Sequence, residues 1–117
     1  MVVSRISEHD YRARALPELS ALVAALDGYP DELFAEFEGD VVNIEFEDRT
    51  RYVVNSHAAA RQIWLAAERN AWHFDYVEER SAWLDSKTQA VELWSQLEQL
   101  LTRKLGHPVQ LRRSSVS

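Results

Sequence analysis

Carboxylates are the most concentrated chemical groups in this chain of 117 residues. Residues 1–48 hold 12 of the 19 acidic residues and 3 of the 13 basic ones, a balance of −9, whereas residues 49–117 have a balance of +3. Such a one-sided distribution favours binding of a cation or of a basic partner. Because the chain has no cysteine, a metal ion could be held only by oxygen or imidazole ligands.

Several other function classes are disfavoured by the sequence. It has no Ser-His-Asp order, glycine-rich phosphate loop or pair of histidines at metal-ligand spacing, so hydrolysis, nucleotide binding and a closed metal site are not indicated. The net charge of −6 disfavours nucleic-acid binding. No segment approaches the roughly 20 apolar residues of a membrane span, and the first residues lack a signal-peptide pattern. We therefore expect a cytoplasmic protein that binds neither nucleic acid nor membranes.

The elements that position these groups can be predicted from the spacing of apolar residues. Three- and four-residue spacing predicts a helix that is capped by Ser7 and ends near Leu26. Pro17 predicts either a kink in this helix or a later start. Alternating apolar and polar residues then predict six short strands, at about residues 33–38, 41–46, 51–55, 62–66, 72–76 and 81–84.

The last part of the chain again has helical periodicity. Ser86 or Thr88 could cap this second helix, which is expected to end at Gly106. We expect Val109 and Leu111 to pack back against the core and residues 112–117 to form a frayed tail. The order helix, antiparallel meander, helix predicts one α+β domain over residues 1–117, with two helices packed on one face of a roughly six-stranded antiparallel sheet.

The second face of the predicted sheet carries a tryptophan. If Ile63 and Leu65 point towards the helices, Gln62 and Trp64 point to the other face, because strand side chains alternate. Tryptophan is enriched at binding hot spots. Trp64 is thus either a contact residue on an open face or a residue covered by side chains of neighbouring strands.

A family resemblance rests on the central residues of the chain. Asn55, residues 61–65 (RQIWL) and residues 73–75 (HFD), in this order after an acidic hairpin, resemble the central signature of the bacterial frataxin family. The similarity in length and element order extends from about Ser7 to Leu111. It implies the frataxin fold, a two-layer α-β sandwich, and a non-enzymatic role in iron-sulfur cluster assembly.

The resemblance also implies partners and the residues that contact them. The partners would be a cysteine desulfurase and an iron-sulfur scaffold protein, and the residues matching the family's sheet contact surface are Asn55, Gln62 and Trp64. His73 occupies a position where the family carries a basic or imidazole side chain. Residues 56–60 (SHAAA) depart from the family's more polar loop.

Weak iron binding at an acidic ridge is a further implication of the resemblance. The second half of the first helix has no acidic residue here, so the carboxylates that could take this role are Asp27, Asp31, Glu32 and Glu36. Two or three such groups within reach of one point could hold Fe²⁺ or Fe³⁺ weakly at the surface. The alternative is a solvated acidic loop without a ligand.

Three functions remain open on this basis. The first is a regulator of the desulfurase and scaffold that binds iron weakly. The second is an iron chaperone or storage protein with weak ferroxidase activity, and the third is a frataxin-shaped adaptor without iron chemistry. We expect a monomer, with an iron-dependent oligomer as the alternative, and the sequence leaves open whether partner binding activates or inhibits cluster synthesis.

Overall fold

The computed structural model describes residues 6–113, which form a helix, six strands and a second helix. Neither helix of this part of the chain is long and apolar enough to span a membrane. The elements, in chain order, are α1 (Glu8–Leu26), β1 (Leu33–Glu38), β2 (Val41–Phe46), β3 (Arg51–His57), β4 (Gln62–Ala67), β5 (Asn70–Val77), a 3-10 turn (Glu78–Arg80), β6 (Ala82–Asp85) and α2 (Leu93–Leu105).

The first helix begins as its sequence predicts. Ser7 caps it, with its Oγ accepting a hydrogen bond from the backbone N–H of Asp10 at 3.0 Å. The predicted later start at Pro17 is wrong, because α1 continues through this residue. Proline removes the hydrogen bond to the carbonyl of Ala13 and its ring crowds that carbonyl, but both residues lie on the exposed side of the helix, where water can reach the carbonyl.

The six strands form one antiparallel sheet in the order in which they occur along the chain. Alternation gives the sheet a buried face, which the two helices cover, and an outer face. The core between sheet and helices includes Leu22 of α1, Ile44 of β2 and Leu97 of α2, all fully buried. The predicted α+β sandwich is thereby confirmed.

The start of α2 differs from the prediction. Its cap is Glu92, whose carboxylate accepts hydrogen bonds from the backbone N–H groups of Trp94 and Ser95, each at 3.0 Å. Ser86 and Thr88 instead belong to the preceding loop, in which Asp85 accepts the backbone N–H of Thr88 at 3.0 Å. The expected end is confirmed, since Gly106 adopts the left-handed conformation (φ 79°) that suits glycine.

The chain after α2 is partly anchored. Val109 and Leu111 are buried against the core, as predicted. Arg113, placed by the prediction in a frayed tail, instead binds the carboxylate of Glu18 on α1 and lies over the ring of Trp94. An ion pair with a stacked aromatic ring gives this arginine a fixed position. The rest of the predicted tail, residues 114–117, lies outside the described residues.

Candidate functional site

Strand register brings the four predicted partner-binding residues together on the outer face. Asn55, Trp64 and His73 are direct neighbours across β3, β4 and β5. Gln62 lies two residues before Trp64 on the same face, in a second row between His57 and Asp75. We call these six residues the Trp64 patch. All six side chains are half-buried.

The indole of Trp64 is sandwiched between two imidazole rings. Its centroid lies 4.0 Å from that of His57, with 12° between the ring planes, and 4.2 Å from that of His73, with 13° between the planes. The Nδ1 atom of His57 is buried and has no hydrogen-bond partner within residues 6–113, so on that side the ring is held by stacking. Both faces of the indole are therefore covered by side chains of the neighbouring strands, and its edge is the part left for a partner.

Two hydrogen bonds fix the orientation of the indole. Trp64 Nε1 donates to Gln62 Oε1 at 2.8 Å, and Gln62 Nε2 donates to Asp75 Oδ1 at 3.1 Å. The amide orientation of Gln62 follows from this pairing, because Trp64 requires an acceptor and a carboxylate requires a donor. The Trp64 patch is consequently rigid before any partner binds.

A buried tyrosine supports the patch from the opposite layer. The hydroxyl of Tyr11 on α1 donates to the carbonyl oxygen of Gln62 at 2.6 Å and accepts from the backbone N–H of His57 at 3.1 Å. Because the Tyr11 hydroxyl donates its single proton to Gln62, the hydroxyl of Ser56, 2.7 Å away, donates to the Tyr11 oxygen. Burial is the largest cause of the raised pKa of Tyr11. The first helix thus fixes the backbone of two patch residues.

The sequence indicates His57 as a neighbour of Trp64 but misses the role of Asp75. The predicted third strand ends at Asn55 and puts His57 in the following loop, whereas β3 extends to His57. Continuing the alternation by two residues would have placed His57 on the same face as Asn55. Asp75 belongs to the quoted signature, but no pattern in the sequence indicated that it binds Gln62.

The four predicted iron ligands are dispersed by the structure. Asp27 is the C-terminal cap residue of α1. Asp31 and Glu32 line one groove, and Glu36, on the outer face of β1, lines another. Within residues 6–113, no three carboxylate or histidine side chains are grouped so that they could hold a metal ion.

One of these carboxylates already has a partner. Glu32 Oε2 lies 2.5 Å from His107 Nε2. The hydrogen bond to Glu32 is the main cause of the raised pKa of His107. A cation at Glu32 would therefore compete with the imidazolium of His107.

The fold and the patch together define a class of protein. Two helices cover one face of a six-stranded antiparallel sheet, and the other face carries an indole stacked between two imidazole rings, which makes the protein a two-layer α-β sandwich. Residues 4–107 match the family model of the frataxin-like domain. The chain belongs to the frataxin-like family, as its signature predicts.

Individual relatives agree with this assignment. The chain is 32% identical over 107 residues to a protein of Paraburkholderia phytofirmans named iron-sulfur cluster assembly protein CyaY, with 92% of this chain and 99% of the relative covered. It is also 32% identical to the protein of the same name from Dechloromonas aromatica, with 92% of this chain and 100% of the relative covered. The solved structure of frataxin from Psychromonas ingrahamii superposes with a TM-score of 0.81 at 18% identity, over 92% of this chain and 100% of that one. The last comparison supports the fold.

Proposed function

We propose that this protein takes part in iron-sulfur cluster assembly as a non-enzymatic regulator that contacts a cysteine desulfurase and an iron-sulfur scaffold protein. The pathway is supported by relatives named iron-sulfur cluster assembly protein, which match along nearly their whole length. The observation that carries the contact role is the indole of Trp64, stacked between His57 and His73 on the sheet face opposite the helices.

This geometry suits protein binding for two physical reasons. A side chain held by stacking and by a hydrogen bond loses little conformational entropy when a partner binds. Half-buried neighbours around a tryptophan exclude water from the contact, as in known hot spots. Asn55, Gln62 and His73 are the neighbours that we propose to contact the partner together with Trp64.

Titration of the protein with the desulfurase and, separately, with the scaffold tests the contact role. Trp64→Ala should weaken binding to at least one of them by about 30-fold, the loss typical of a hot-spot residue of about 2 kcal/mol. Leu16→Ala, on the exposed side of α1, is the matched control and should bind like the wild type. Unchanged affinity of a folded Trp64→Ala variant for both partners would contradict the proposal.

The sign of regulation requires a separate measurement. Desulfurase activity should change when the protein is added, in either direction, and Trp64→Ala should reduce that change at fixed concentration. Repeating the assay with and without Fe²⁺ separates a regulator, which acts in both conditions, from an iron donor, which acts only with iron. A protein without effect in either condition would not be a regulator.

We further propose that iron is bound weakly, as cargo, along the acidic segment that carries Asp27, Asp31, Glu32 and Glu36. The support is the chemistry of the donors, because a hard cation accepts carboxylate and water ligands without an enclosed cage. The dispersal of these groups favours weak binding over the storage or ferroxidase alternative, which needs closely spaced carboxylates. Anaerobic Fe²⁺ titration should perturb the signals of residues 27–36, and the absence of saturable binding below millimolar iron would remove the iron role.

A further inference from the structure

A groove of about 340 Å³ lies near the end of β6, the edge strand farthest from β1. It is lined by residues 71–73 of β5, by residues 85–88 and by Val91. We call it the Lys87 groove. His73 lines this groove and also stacks on Trp64. The Lys87 groove therefore adjoins the Trp64 patch through a residue that belongs to both.

The Lys87 groove includes an unpaired stretch of strand edge. Strand β6 pairs with β5 only from Phe74 to Val77. Beyond this stretch, the backbone N–H of Ser86 donates to the carbonyl oxygen of His73 at 2.8 Å, so the backbone groups of His73 point away from β4. Because this direction alternates along a strand, the N–H and carbonyl of Ala71 point the same way. Within residues 6–113 no strand pairs with Ala71 on that side, and it offers one donor and one acceptor to an extended chain.

The side chains that line the Lys87 groove supply hydrogen-bond donors. Trp72, His73 and Ser86 are half-buried, and Lys87 is exposed. The polar side-chain atoms of these four residues have no hydrogen-bond or salt-bridge partner within residues 6–113, and none of these atoms is buried. An indole N–H, an imidazole, a hydroxyl and an ammonium group are thus available to a ligand that accepts hydrogen bonds.

The acidic side chain of the groove is already engaged. Asp85 is 7% exposed, and its Oδ2 atom accepts from the backbone N–H of Lys87 at 3.2 Å and from the N–H and hydroxyl of Thr88 at 3.0 and 3.2 Å. These bonds fix the loop and leave the ammonium of Lys87 without a counter-charge in the groove. The groove at the start of β1 is instead lined by several acidic residues.

We propose that the Lys87 groove binds an extended acidic segment of a protein partner. The backbone of this segment pairs with Ala71, and one of its carboxylates binds the ammonium of Lys87 and the hydroxyl of Ser86. Hydrogen bonds from a charged donor to a carboxylate are the strong ones in proteins, and pairing with a free strand edge is a general way to bind an extended peptide.

The chemistry of the groove disfavours other occupants. A metal cation would be repelled by Lys87, and the carboxylate of Asp85 is engaged by the loop. Nucleic acid would meet a protein of net charge −6. A free carboxylate would satisfy Lys87 but would leave the carbonyl of Ala71 without a donor. An acidic segment in extended conformation satisfies both.

The inference rests on the proposed function in one respect, which is that the same partner covers the Trp64 patch and the Lys87 groove. A standard interface buries about 800 Å² on each side, so a protein docked on Trp64 also reaches a groove that shares His73 with it. What the inference adds is a second contact of defined chemistry, made with backbone and carboxylate groups.

The test uses two peptides of equal length, one alternating glutamate with valine and the other alternating glutamine with valine. At about 0.15 M salt, where charges more than about 8 Å apart are largely screened, the glutamate peptide should bind about two- to five-fold more tightly. This is the ratio expected for a solvent-exposed ion pair. Both peptides should shift the backbone amide signals of residues 71–73 and 85–88 and slow hydrogen exchange at the Ala71 amide.

Glutarate is the control for a free carboxylate. It should bind more weakly than the glutamate peptide and should leave hydrogen exchange at the Ala71 amide unchanged. If glutarate binds as tightly as the glutamate peptide, or if the peptide does not slow exchange at Ala71, the groove does not hold an extended segment and the inference is overturned.

Matched variants separate the local ion pair from the overall charge. Lys87→Gln should abolish the preference for glutamate, while binding of the glutamine peptide persists. Arg103→Gln removes the same charge from an exposed position of α2 and should keep the preference. The inference is also wrong if Lys87→Gln keeps the preference, if Arg103→Gln loses it, or if sedimentation shows a wild-type dimer that Lys87→Gln dissociates. Thermal unfolding should confirm that both variants are folded.

Titration with the desulfurase and the scaffold keeps this inference apart from the proposed function. Lys87→Gln should weaken binding of the partner that Trp64→Ala weakens, by about two- to five-fold. If Trp64→Ala weakens a partner and Lys87→Gln weakens none, the Trp64 patch stands and the inference about the Lys87 groove fails. If the wild type binds neither partner but prefers the glutamate peptide, the proposed partners are wrong and the chemistry of the groove stands.

Discussion

At the scale of single residues, the Glu32–His107 pair is the most sharply testable contact. The carboxylate of Glu32 raises the pKa of His107 above its ordinary 6.5 because it stabilises the imidazolium. The contribution of this pair to the free energy of unfolding is therefore complete below the pKa of histidine in the unfolded chain. It is lost as the pH rises through the higher pKa of His107 in the folded protein. Glu32→Gln should return the pKa of His107 towards 6.5, as read by NMR titration of the imidazole protons.

The same titration reports on iron. A cation at Glu32 displaces the imidazolium, so saturating Zn²⁺ or Fe²⁺ at that carboxylate should lower the pKa of His107. His9, which has no salt bridge within residues 6–113, serves as the internal control. A pKa of His107 that stays raised in the presence of bound metal would place the metal elsewhere.

The stack around Trp64 gives a second prediction for single residues. His57→Ala uncovers one face of the indole, and an aromatic contact of this kind contributes about 0.5–1.5 kcal/mol. We expect the free energy of unfolding to fall by about 1 kcal/mol and partner affinity to fall through the loss of indole rigidity. His57→Phe should restore stacking and affinity, whereas failure of this rescue would mean that His57 acts through its nitrogen atoms.

Individual residue roles were only partly predictable from the sequence. Alternation and the signature predicted that Gln62, Trp64, Asn55 and His73 share one face. The stacking of His57 on Trp64 depends on a strand that continues two residues beyond its apolar pattern. The hydrogen bond from Gln62 to Asp75 depends on register, which periodicity alone does not provide.

At the scale of elements, the attachment of α1 to the sheet controls the site. Tyr11→Phe removes the hydroxyl that meets the backbone of both Gln62 and His57 and leaves these buried groups without that partner. We expect a loss of about 1–3 kcal/mol in the free energy of unfolding, together with weaker near-ultraviolet dichroism from the Trp64 stack.

Tyr29→Phe is the matched control for this substitution. Its hydroxyl also bonds backbone groups, those of Gln110, but these contacts are exposed and water can replace them. The change should stay within about 0.5 kcal/mol. Equal losses from both substitutions would show that Tyr11 has no special role in supporting the patch.

The predicted and observed bounds of the strands and helices show which interactions can be predicted from the sequence pattern. The apolar pattern predicted all six strands, and in β1 to β4 it alternates because burial of one face is a strong and periodic effect. The cap of α2 was missed because Asp85 engages the candidate Thr88 in a loop, so that Glu92 is the residue free to cap. Pro17 does not end the helix because the apolar residues that α1 buries before and after it outweigh the local cost of the proline.

At the scale of the whole molecule, the contact that was hardest to predict from the sequence joins the first helix to the end of the described chain. Glu18, 8% exposed on α1, accepts from Trp94 Nε1 at 2.5 Å and from both terminal nitrogens of Arg113. The guanidinium lies 4.4 Å from the centre of the Trp94 ring. The polar composition of residues 112–117 predicted a frayed end. The structure differs because the buried carboxylate of Glu18 requires a positively charged partner, and Arg113 provides it.

Arg113→Ala tests whether this contact stabilises the fold. The variant leaves the buried carboxylate of Glu18 with the hydrogen bond from Trp94. The free energy of unfolding should therefore fall by about 1–2 kcal/mol. This loss is smaller than for a fully buried ion pair because half of the Arg113 side chain is exposed to solvent. Arg112→Ala removes the same charge one residue earlier, where the side chain binds exposed Gln110, and should cost less than about 0.5 kcal/mol. Urea unfolding of both variants measures the difference. If both variants are as stable as the wild type, the end of the chain contacts α1 and α2 without stabilising the fold. If only Arg113→Ala is less stable, the contacts of Arg113 with Glu18 and Trp94 stabilise the packing of the chain end on the two helices.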